Sequence, residues 1–77
     1  MVPRLTPVDC RKLVRFFEAH GFVADRQKGS HVSLIRPGIA RPVVIPIHSE
    51  VAVSVVMNNL RTAGLTRDQL LDWLAEN

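Results

Sequence analysis

Arg26-Gln27-Lys28-Gly29-Ser30-His31 is the stretch that decides how this chain is read. Gly29 and Ser30 are turn formers: glycine takes a positive φ without steric penalty, and a serine hydroxyl bonds nearby backbone. Extended residues flank them on both sides, so the pair predicts a tight reversal between antiparallel strands. That reversal holds Lys28 and His31 close together at a strand end. A fixed cation beside an imidazole, a group that ordinarily titrates near neutrality, suits chemistry on a phosphodiester.

Strand signals continue on either side of the turn. Residues 22–28, 31–36 and 42–48 are separated by Gly29-Ser30 and by Pro37-Gly38-Ile39-Ala40-Arg41. Connections this short imply an antiparallel meander. Val32 and Leu34 alternate with His31, Ser33 and Ile35. Val43, Ile45 and Ile47 alternate with Val44, Pro46 and His48. With the apolar sets facing helices, His31 and His48 are both expected on the opposite, open face, unless a bulge shifts the parity.

Helices are expected before and after the meander. Thr6 is suited to the N-cap of the first, with Pro7 at its first position and Asp9 at the third. Cys10, Leu13, Val14 and Phe17 then recur at helical spacing, with Arg11, Arg15 and Glu18 on the other side. Gly21 is placed to end this helix, and a charged His20 would complement its dipole. Val53, Val56, Met57 and Leu60 form a second stripe that Gly64 terminates. Thr66 and Gln69 make a capping box for a short last helix, whose inner side is Leu70, Leu71, Trp73 and Leu74. The expected fold is α+β, one domain over residues 1–77 in the order α-β-β-β-α plus a short C-terminal helix. A three-stranded antiparallel sheet would carry the helices on one face.

Composition narrows the function. The chain has 77 residues, 47% apolar and 22% charged, which describes a small globular protein and not a disordered one. No run is long enough to span a bilayer, and Met1-Val2-Pro3-Arg4-Leu5-Thr6-Pro7 lacks the apolar core of a signal peptide. A cytoplasmic protein is expected. The single cysteine, Cys10, falls on the buried stripe and reads as a core residue. The net charge is +3. Arg26, Lys28, Arg36 and Arg41 crowd the middle of the chain against Asp25, whereas Asp68, Asp72 and Glu76 make residues 67–77 acidic. The basic side therefore carries Gly29-Ser30-His31, which fits an RNA partner. An acidic last helix argues against a DNA-reading helix-turn-helix. His20, His31 and His48 lack metal-ligand spacing and no nucleotide-binding glycine loop is present, so neither metal nor cofactor is expected.

Taken together, His20-Gly21-Phe22, Arg26-Gln27-Lys28-Gly29-Ser30-His31, Val44-Ile45-Pro46-Ile47-His48 and Ala63-Gly64-Leu65-Thr66 resemble the HicA-type (YcfA-like) toxins. These are small mRNA interferases of type II toxin–antitoxin pairs, and the resemblance runs from Asp9 to the C-terminus. It implies a fold like a double-stranded RNA-binding domain, with the histidine needed for RNA cleavage and toxicity falling on His31. It also implies a HicB-type antitoxin that covers the active face and forms a hetero-oligomer with the toxin. One segment departs from the family pattern. The lysines usual before the second helix are replaced by Glu50-Val51-Ala52-Val53-Ser54-Val55-Val56, which removes cations that would attract phosphate. Val51 and Val55 then either extend the core or serve a protein partner.

Metal-free cleavage of RNA needs a base for the ribose 2′-hydroxyl, an acid for the leaving 5′ oxygen, and positive charge for the phosphorane. His31 fits either proton-transfer role. Arg26 and Lys28 supply charge, and the backbone at Gly29 and Ser30 lets a phosphate approach. His48 is the candidate second acid–base group. The alternative is a non-catalytic RNA-binding module, or an inactive toxin homologue acting through a protein partner.

Overall fold

Leu13, Phe16 and Phe17 are completely buried, and the fold is organised around them. The computed structural model describes residues 4–77. Met1-Val2-Pro3, the first part of the stretch read for a signal peptide, lie outside the described residues. The elements are β1 (Val8–Asp9), α1 (Cys10–Ala19), β2 (Val23–Lys28), β3 (His31–Ile35), β4 (Val43–Pro46), β5 (Glu50–Val51), α2 (Val53–Ala63) and α3 (Arg67–Glu76). β2, β3 and β4 form an antiparallel sheet in that order. Leu34, Val43 and Ile45 are buried on one side of it, where α1 packs against β2 and β4 and α2 against β4. The α+β class, the meander and the one-sided helices are as expected, in the manner of a double-stranded RNA-binding domain.

The first helix begins later than its sequence signals suggest. Val8 and Asp9 pair with Val51 and Glu50, forming a two-stranded ladder that was not expected. Val8 and Val51 are both buried there, so this backbone is held extended by pairing and apolar burial. Asp9 consequently takes the N-cap role assigned to Thr6, its Oδ1 accepting from the Arg11 amide at 3.2 Å. The same ladder decides the role of Val51. It extends the core, and Val55 packs against that core half-buried.

Phe16, which the helical stripe left out, is what α3 covers. Its ring meets Trp73 edge-on at 5.9 Å between centroids and Phe17 at 5.2 Å. α1 thus buries one flank against the sheet and another against α3. The ends of the later helices follow their signals. Gly64 takes φ 71° after α2, and Thr66 and Gln69 form the reciprocal capping box at 3.1 and 2.7 Å.

Candidate functional site

Lys28 pairs directly with His31 across the β2–β3 ladder, and Gly29-Ser30 is the two-residue loop between them. Gly29 has φ 58°, and among the described residues no non-glycine has a positive φ. A positive angle confined to the first loop position is the pattern of a type II′ turn, whose twist matches that of the strands. A second tie holds the tip: the Ile47 amide donates to the Ser30 carbonyl at 2.6 Å. The turn is therefore fixed from below by the chain leaving β4.

The register determines which side chains share the open face. Residues directly opposite in a ladder point the same way. His31 is opposite Pro46 and Lys28; Ser33 is opposite Val44 and Arg26; Ile35 is opposite Val23. Val32 and Leu34, opposite Ile45 and Val43, point to the helices. The open face thus has a basic end carrying Lys28, Arg26 and His31, and an apolar end formed by Val23, Ile35 and Val44. These three apolar side chains are 63%, 44% and 40% exposed.

Arg26 and Lys28 reach this face because of a bulge. The register shifts between Ala24 and Arg26, leaving Asp25 as the extra residue. With Asp25 in an ordinary ladder position and no bulge, strict alternation from Val23 would turn Arg26 and Lys28 towards the helix side. The bulge lies in β2, so it leaves the alternation of β3, and with it the facing of His31, unchanged. Arg26, Lys28, Gly29, Ser30 and His31 are all exposed. The sequence reading named these five as site residues; its alternation put Ser33 on the His31 side, but it assigned no role to Ser33 or to the apolar residues in the adjoining rows. Ile35 and Val44 had a signal, since both fall on the His31 side of the simple alternation.

His48 is placed differently from the expectation. β4 ends at Pro46, and the His48 amide donates to the Pro46 carbonyl at 3.0 Å, a three-residue turn centred on Ile47. That turn ends the extended parity on which a shared open face depended. His48 instead lines a groove with Asp9, Cys10 and Arg11 at the start of α1. His20, the third histidine, caps α1, its Nδ1 donating to the Phe16 carbonyl at 2.9 Å. Among the described residues no three His, Cys, Asp or Glu side chains stand together as metal ligands, and no helix is long and apolar enough to cross a membrane.

A three-stranded sheet backed by helices, with a basic, histidine-bearing end on its open side, defines a small α+β protein whose open face is positively charged at one end. Residues 10–65 match the family described as HicA toxin of bacterial toxin-antitoxin, and the chain belongs to that family. It is therefore a toxin of a toxin–antitoxin system, and a cognate antitoxin is its partner. No match was found among curated proteins.

Proposed function

We propose that this toxin is a metal-independent endoribonuclease that cuts mRNA, with His31 as its catalytic acid–base group. The pairing of Lys28 with His31 across a pinned two-residue turn, on the face that also carries Arg26, is the observation that supports this reading most directly. A ribose 2′-hydroxyl set beside His31 loses its proton to the imidazole as its oxygen attacks the adjacent phosphorus. Lys28 and Arg26 oppose the charge that grows on the phosphorane oxygens, and the exposed backbone of Gly29 and Ser30 admits the phosphate closely. The bond to the 5′ oxygen then breaks and that oxygen takes up a proton. The products are a 2′,3′-cyclic phosphate and a free 5′-hydroxyl. The second proton transfer falls to water at this exposed face, because His48 lies in the α1 groove. A HicB-type antitoxin would silence the enzyme by covering the open face.

One observation favours the alternative of an inactive toxin homologue acting through a protein partner. Residues 50–56 contain no Lys or Arg, and Val51 and Val55 belong to the core, so the start of α2 offers phosphate no cation. Induced expression of the native chain beside His31→Ala, with total RNA examined from both, separates the readings. Growth arrest with mRNA breakdown, both lost in the variant, supports the ribonuclease. A soluble, folded native chain that leaves growth and RNA intact supports the non-catalytic alternative.

A further inference from the structure

Behind the hairpin, on the side of β3 and β4 away from His31, lies an open groove of about 370 Å³. Val32, Ile45 and Ile47 form its floor, and Arg11, Val14 and Arg15 of α1 form one wall. Ile47 is 40% exposed, an uncovered apolar side chain of the kind that marks a binding groove. Arg11 and Arg15 are exposed and one helical turn apart, about 6 Å along the axis. No carboxylate lines this groove. The nearest in sequence, Asp9, caps α1 through the Arg11 amide.

We infer that this groove anchors the cognate antitoxin through an amphipathic segment that sets apolar side chains on the floor and two carboxylates against Arg11 and Arg15. The inference rests on the chain being a toxin with an antitoxin partner, and it places the anchor on the face opposite the proposed chemistry. Two features point to a protein segment and not to RNA. The floor is hydrocarbon, which rewards buried side chains and gives a phosphodiester backbone nothing. The arginine wall then supplies complementary charge, and guanidinium groups pair carboxylates in a bidentate fork. A toxin of net charge +3 also gains rapid association with an acidic partner. The two faces of one sheet thereby divide the labour: Lys28 and His31 in front, Val32 and Ile45 behind.

The test uses the full-length toxin and the purified antitoxin encoded beside it, with affinity measured by calorimetry and RNA cleavage measured on the toxin alone. The Arg11→Glu, Arg15→Glu double variant is expected to weaken antitoxin binding by at least about 100-fold, the scale of interface arginine hot spots. It should keep the native cleavage of RNA. Ile47→Glu, read separately, should weaken binding without loss of the far-ultraviolet circular dichroism of the native fold. Binding within about threefold of native in both variants overturns the inference, as does a double variant that loses RNA cleavage while keeping the antitoxin, which would make the groove an RNA surface. His31→Ala tests the other reading independently: retained cleavage there removes the ribonuclease proposal and leaves the docking result standing.

Discussion

Lys28 and His31 face each other across the β2–β3 ladder, partners in one ladder position with only Gly29 and Ser30 between them. Their separation is set by backbone pairing, and the Ile47–Ser30 hydrogen bond braces it from the neighbouring strand. A cation and an imidazole held this way need little reorganisation when a phosphate arrives, which is where preorganised charge is most effective.

Gly29→Ala is expected to destabilise the protein by about 1 kcal/mol and lower the melting temperature by roughly 4–8 °C. A Cβ at Gly29 would meet no atom within 4 Å, so the cost comes from φ 58° alone and not from a clash. Gly29→Asn, which tolerates that region better, should fall between the two. Thermal melts of the three proteins check the order. Equal melting temperatures would mean that the turn relaxes without loss.

Lys28→Ala should weaken RNA binding uniformly across sequences and flatten its salt dependence by about 0.7 in the log–log slope, the release expected per phosphate contact on a single strand. Arg26→Ala should do the same. Fluorescence anisotropy of a labelled single strand, titrated at several salt concentrations, reads both slopes. An unchanged slope would take these side chains off the phosphate path.

Deleting Asp25 tests the bulge. Without the extra residue the ladder closes with Ala24 still opposite Leu34 and Arg26 still opposite Ser33, so Arg26 and Lys28 are expected to stay on the open face with His31. RNA affinity should therefore stay close to native. A folded deletion variant whose affinity falls as far as that of the Arg26→Ala, Lys28→Ala double variant would show that the bulge itself shapes the RNA surface.

Asn59 is 6% exposed, and its Nδ2 has no hydrogen-bond partner among the described residues. A buried, unpaired amide costs about 1–3 kcal/mol. Asn59→Leu, which keeps the branched heavy-atom skeleton without polar atoms, should therefore raise stability by about 1 kcal/mol in urea unfolding. A loss of stability would mean that the amide finds a partner in solution.

Much of this architecture could be read from residues alone, because its signals are local. Gly29-Ser30 marked the hairpin, Gly64 the end of α2, and Thr66 with Gln69 the start of α3; each acts through its own backbone or one turn away. Errors arose where distant segments decide. Thr6 and Pro7 have the chemistry of a helix start, but Val8 is drawn into a ladder with Val51, more than forty positions along the chain, and the helix begins only after it. For Val51 and Val55 the residues left core and partner surface both open, and that pairing decided for the core. The open face was half legible: alternation gave His31 and Ser33, but the Asp25 bulge that adds Arg26 and Lys28 has no composition signal. His48 was misplaced because a three-residue turn at Ile47 ends the alternation one step early.

The most direct measurement is the cleavage rate of a single-stranded RNA by the purified chain and by His31→Ala, both with excess chelator present. The account expects the native chain to cut, leaving 2′,3′-cyclic phosphate ends, and the variant to be slower by about 10²–10⁴-fold, the usual worth of a general acid–base group. His31 is exposed, so the variant should melt close to native. Native-like cutting by His31→Ala, or a native chain that cuts only when divalent metal is restored, would contradict it.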